Sequence, residues 1–206
     1  MNPNVLKRFI IYMAILTFVM FTVWALIRSF MNRPPGDYET EVCDIRLKDK
    51  KYDEAIDAAN IALEKTSNHR GAIMCKALVY ISQKKYKEAT NQLDYLIKFL
   101  KKNIEDDDPT GRGTLAAAYA NRGIIKDRKE NYEGALEDYL NALRVDSEAV
   151  EGPGFGTVIL NYKFKSSSVR ERAIYIREQL QLPENERVLK IKKLDEGQVM
   201  HKPGKL

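Results

Sequence analysis

The chain has 206 residues, of which 44% are apolar and 31% charged, with 11 glycines and 7 prolines; this composition excludes a disordered, collagenous or low-complexity protein. Its net charge of +5 suggests a nucleic-acid ligand only until the charges are located. Lys7, Arg8, Arg28 and Arg33 precede the first acidic residue, Asp37, and beyond a short cluster at Lys190, Lys192 and Lys193 no basic stripe is left to neutralise phosphates, so no nucleic-acid partner is expected.

After a short flank, residues 1–8, comes an uncharged stretch at 9–27, FIIYMAILTFVMFTVWALI. As a helix rising about 1.5 Å per residue it is just long enough for a hydrocarbon core of about 30 Å, and it is predicted to lie in a lipid bilayer as a transmembrane helix. Lys7 and Arg8 bracket one end, Arg28 and Arg33 the other, and Tyr12 and Trp24 fall near the two interfaces as membrane anchors. A cleaved signal peptide would need a shorter apolar core and small residues before the cut, which Trp24-Ala25-Leu26-Ile27-Arg28 does not offer. Basic residues on the two flanks nearly balance, with a weak lean to a cytoplasmic amino terminus and an extracytoplasmic domain. Residues 28–36, containing Pro34 and Pro35, read as a short stiff linker.

Beyond the linker the chain repeats itself. Ala55, Ala89 and Ala135 each follow a tyrosine by three residues (Tyr52, Tyr86, Tyr132); the first two alanines are 34 residues apart (89 − 55) and the third lies 46 further on (135 − 89), one period plus a twelve-residue insertion. The units are 36–69, 70–103 and 116–149, within a domain at 37–149. In the first, helices are predicted at 38–48 and 52–65, with Cys43, Tyr52, Ala55, Ala59 and Ala62 at packing positions and Glu39 where an apolar residue is usual. The second carries Ala77, Tyr80, Tyr86, Ala89, Leu93 and Leu96; the third carries Tyr119, Gly123, Tyr132, Ala135, Tyr139, Ala142 and Leu143. Small residues let two helices cross closely, and aromatic rings fill the space beside the crossing.

In the insertion, near 104–115, the preceding helix is expected to run on through Ile104 until the acidic run, Pro109, Gly111 and Gly113 stop it. Asp106, Asp107 and Asp108 lack the alternating spacing of a calcium loop and read as a solvated acidic turn. After Ala149 the pattern degrades into a capping repeat at 150–188, a helix pair at 155–163 and 166–182 ending at Pro183. Residues 189–206 are a lysine-rich tail expected to be mobile.

The tyrosine, alanine and downstream alanine or leucine at matching offsets in three units resemble the tetratricopeptide repeat (TPR), over about 36–182. The resemblance implies an all-α protein: an N-terminal transmembrane helix, then a solenoid of antiparallel helical hairpins closed by a C-terminal capping helix pair. It also implies a concave face lined by the first helix of each hairpin, where Met74, Leu78, Ala117, Ala120, Asn121 and Ile124 would form a largely apolar partner-binding groove. TPRs that clamp acidic chaperone tails carry lysine, asparagine and arginine at five groove positions; here those are Thr40, Asp44, Cys75, Ala117 and Asn121, so such a clamp is not expected.

Little in the chain suggests catalysis. It has two histidines, His69 and His201, and the run 152–157 (GPGFGT) lacks the lysine of a phosphate loop. Cys43 and Cys75 are too few for a structural zinc site and read as small core or groove residues, or as a single bridge if the domain lies in an oxidising compartment. No enzyme, cofactor, metal or small-molecule substrate is therefore expected. The function expected is that of a membrane-anchored adaptor or assembly factor for a protein client or complex subunit; the alternative is a structural accessory subunit of a membrane complex, held mainly by its transmembrane helix.

Overall fold

Six helices of the domain pair into three hairpins in the computed structural model, which describes residues 3–31, 33–150 and 168–191. Ahead of them runs α1, Pro3–Met31, which at 29 residues is about 43 Å long. It is long and apolar enough to cross a membrane, and none of that span is buried. Its apolar side chains from Val5 to Ile27 are exposed, including Tyr12 (68%) and Trp24 (54%), and the Arg28 guanidinium lies 5.1 Å from the Trp24 ring centroid. Thr17 and Thr22 turn their hydroxyls onto the helix's own carbonyls, at Met13 and Val19, so these polar groups are satisfied without water.

The hairpins are α2 (Asp37–Lys48) with α3 (Tyr52–Lys65), α4 (Arg70–Ser82) with α5 (Tyr86–Asn103), and α6 (Pro109–Arg128) with α7 (Tyr132–Val145). Each first helix also packs on the next first helix, α2 on α4 and α4 on α6, which builds one layer of the solenoid. All three hairpins turn alike. Lys50, Lys84 and Glu130 adopt left-handed backbone angles (φ 60°, 59° and 63°), and the next amide reaches back to the carbonyl five residues earlier: Lys51 to Arg46, Lys85 to Tyr80, and Asn131 to Lys126, each at 2.9 Å. This doubly bonded helix ending satisfies carbonyls that would otherwise be orphaned, and its recurrence sets the same reversal in every unit.

The repeat residues occupy the helix crossings. Ala55, Ala62, Ala89, Ala135 and Ala142 are fully buried, and Tyr119 is 8% exposed. Tyr86 and Tyr132 pack half-buried against the main core, and Tyr52 against a smaller one around Cys43, Ala55, Ala59 and Cys75. At Gly123 a Cβ would sit 2.7 Å from the Tyr139 ring, so α6 and α7 approach as closely as they do only because the side chain is absent. Glu39, the polar departure in the first unit, is mostly covered; Lys65 Nζ donates to its carboxylate at 2.7 Å and holds its pKa below the ordinary value.

The insertion differs from expectation. α5 does run on to Asn103, but Pro109 and the glycines open α6 instead of breaking the chain. Proline suits the first turn of a helix, where its missing N–H would have no partner, and Asp108 caps that turn by accepting from the Gly111 amide at 2.7 Å. A Cβ at Gly111 would run into the Asp108 carboxylate. Asp108 is also no free acidic turn residue: Arg70 Nη1 donates to it at 2.5 Å, and that hydrogen bond lowers its pKa. α6 consequently starts seven residues before the predicted repeat boundary at 116.

Beyond α7 come a short helix, α8 (Ser147–Val150), and α9 (Val169–Leu180), opened by a capping box between Ser168 and Glu171. α9 packs on α7. The first predicted capping helix, at 155–163, the glycine-containing run at 152–157 and His201 lie outside the described residues. Arg172 on α9 makes a bidentate pair with Asp127 on α6 (2.8 and 2.7 Å); both are 2% exposed, and Tyr139 donates to the same carboxylate at 3.1 Å. The start of the tail is held too. Arg172 donates to the Leu189 carbonyl at 3.0 Å, and Lys190 pairs with Glu130 at 2.7 Å.

Candidate partner-binding surface

The six residues expected to line a groove lie together, on α4 and α6. Met74 is 1% exposed, Leu78 3%, Ile124 2%, and Ala117, Ala120 and Asn121 are fully covered. Asn121 Nδ2 lies 3.6 Å from Met74 Sδ, joining the two helices at this level. They are interior side chains in this structure, and the open apolar groove expected of them is not what they form. Met74, Leu78, Ala117, Ala120 and Ile124 all belong to the main core, where close-packed neighbours cover them.

Of the five clamp positions, three are buried, and Thr40 and Asp44 are partly covered. Thr40 donates to the Gly36 carbonyl at 2.8 Å, Cys75 is bonded to Cys43, and Ala117 and Asn121 are buried. Cys43 and Cys75 form a disulfide between α2 and α4, with their Cα atoms 6.4 Å apart and both residues buried. Of the two readings open for these cysteines, the bridge is the one the structure contains.

The linker end of the domain is tightly bonded. The Asp37 amide donates to the Pro34 carbonyl, Thr66 Oγ1 donates to the Pro35 carbonyl at 2.9 Å, and Arg33 pairs with Glu41 at 3.1 Å. His69 organises the corner. Its Nδ1 accepts from the Ala72 amide at 3.2 Å and so caps α4, which leaves Nε2 to donate to Asp37 at 2.9 Å.

No protein-family model and no curated protein matches the chain. Among solved structures it is similar to the first TPR of Spaghetti (RPAP3) bound to the HSP90 peptide SRMEEVD, with a TM-score of 0.50 and 18% identity over 72% of this chain and 94% of that one. The likeness shows the fold: an all-α arrangement of TPR-type hairpins, as the tyrosine and alanine offsets implied.

Proposed function

We propose that the chain is a single-pass membrane adaptor whose TPR-type solenoid holds a protein client or complex subunit at the bilayer. The observation that carries this reading is α1. A helix of this length with its apolar side chains exposed throughout is untenable in water, whereas in a bilayer the same exposure is its stable state. Attached to such an anchor, a helical-repeat domain searches two dimensions, so a weak contact suffices to retain a partner.

The disulfide supports placing the domain on the extracytoplasmic side, because buried bridges persist in oxidising compartments and are rare in the cytosol. The structural neighbour, a TPR bound to a peptide, supports a protein ligand. A carboxylate clamp at the usual groove positions is not supported, since Thr40, Asp44, Cys75, Ala117 and Asn121 supply no cation. The low exposure of Met74, Leu78, Ala117, Ala120, Asn121 and Ile124 supports a packing role for those six and a partner contact elsewhere on the solenoid.

Membrane extraction and an anchor exchange test the reading together. The intact protein should resist alkaline extraction and leave the membrane only with detergent; release by alkali would refute the anchor. Replacing residues 9–27 with an unrelated apolar helix should keep a co-purifying partner, because an adaptor needs only tethering. Loss of all partners on that exchange, with the domain still folded, would favour the structural-subunit alternative, in which α1 packs specifically into a larger complex.

A further inference from the structure

The strongest unassigned feature is a cleft of about 550 Å³ between α5 and α6, lined by Asp94, Ile97, Lys98, Lys101, Lys102, Tyr119 and Arg122. The length of α5 contributes to it. α5 is four residues longer than α3 or α7 (18 against 14), and its added last turn supplies Lys101 and Lys102 one turn beyond Lys98. Ile97 and Tyr119, 5% and 8% exposed, form an apolar floor.

The charge of the cleft is not internally balanced. Arg122 is fully engaged, pairing with Asp94 at 2.6 Å and making a bidentate pair with Asp138 at 2.8 and 2.6 Å. Asp138 also receives Lys126 at 2.8 Å. The lining's single carboxylate is thus already spent on Arg122. Lys98, Lys101 and Lys102 are exposed, and among the described residues none has a carboxylate within salt-bridge distance. Lysines in a last helical turn interact well with the helix dipole, which accounts for Lys101 and Lys102 individually. It does not account for Lys98 or for the gathering of all three beside an apolar floor.

We propose that this cleft docks an acidic segment of the protein partner, with carboxylates against Lys98, Lys101 and Lys102 and an apolar side chain over Ile97 and Tyr119. The site lies between the second helix of one hairpin and the first of the next, away from the six buried residues of the α4 and α6 layer. Anionic lipid is the competing occupant. It is disfavoured by Glu105, Asp106 and Asp107, all exposed in the loop that continues directly from α5, which would meet a negative surface together with the lysines. The proposal rests on the protein-binding reading above and names the surface that reading lacks.

The test uses the full chain in nanodiscs of phosphatidylcholine and a fluorescent peptide of alternating glutamate and leucine, with a glutamine-for-glutamate peptide as control. The acidic peptide should bind and the control should not, and raising the salt should weaken binding. The variant K98A/K101A/K102A, which keeps good helix formers on an exposed face, should bind about tenfold more weakly with unchanged helical signal and Tm. Equal binding by the variant, or no binding by the parent, overturns the proposal. So does protection of these three lysines from acetylation in phosphatidylglycerol discs but not in phosphatidylcholine discs, which would give the patch to the membrane. A co-purifying partner kept by the triple variant would sink the cleft and leave the adaptor reading standing; failure of alkaline resistance would do the reverse.

Discussion

Reducing the Cys43–Cys75 bridge should destabilise the domain strongly while leaving its folded shape almost unchanged. The two cysteines are 32 residues apart in sequence and both buried in the smaller core, so the thiols would remain packed where the sulfurs now sit. The cost falls on the unfolded state, which regains the freedom of a 32-residue loop; the loop-entropy relation gives about 3.7 kcal/mol at room temperature. With a urea dependence of about 2 kcal/mol per molar, the midpoint should fall by roughly 2 M. Urea titrations followed by helical signal, with and without reductant, measure this, and C43A/C75A should match the reduced parent to within about 1 kcal/mol. Two results would refute the reasoning: a midpoint unmoved by reductant, or ready alkylation of both cysteines in unreduced protein taken directly from cells. The second would also remove the support for an extracytoplasmic domain.

Arg172→Ala strands the Asp127 carboxylate at 2% exposure and should cost about 3–5 kcal/mol, whereas R172M/D127L should recover most of that, less about 1 kcal/mol for the orphaned Tyr139 hydroxyl; denaturation of both variants decides. Gly123→Ala should lower stability by about 1–3 kcal/mol despite alanine's better helix propensity, because the new methyl meets the Tyr139 ring, and G123A/Y139L should relieve the clash in a Tm series. Arg70 holds the Asp108 pKa below its ordinary 3.8, so this contact stabilises the fold above that pH, and its contribution disappears as the pH falls below 3.8 through the lowered folded value. Protection of the Gly111 amide, measured against its intrinsic exchange rate at each pH, should fall over that range in the parent, and Asp108→Ala should remove it already at neutral pH.

The hairpins were readable because their signal is local. Tyr52 to Ala55 and its two echoes mark where helices must cross, and the helix expected at 52–65 is found at Tyr52–Lys65. Pro109, Gly111 and Gly113 misled because the same residues that end a helix also start one; only the Asp108 cap, three residues before Gly111, signalled which. The Arg172–Asp127 pair joins positions 45 residues apart, and no periodicity links a capping helix to a charge on α6. Groove and core were confused for a related reason. The offsets of Met74, Leu78 and Asn121 say which helix layer they belong to, but whether that layer stands open depends on what packs over it, which is a property of the assembled solenoid.

Residues 33–35 are bonded into the start of the domain and do not trail free of it. Arg33, two residues past the end of α1, is already paired to Glu41, and the carbonyls of Pro34 and Pro35 are held by Asp37 and Thr66. On the anchored reading proposed above, these contacts would make the attachment a wrist rather than a rope and confine the domain's height above the lipid. On that reading a client would gain an address close to the lipid, and lengthening this joint with flexible residues should preserve recruitment while letting the client stand further from the bilayer.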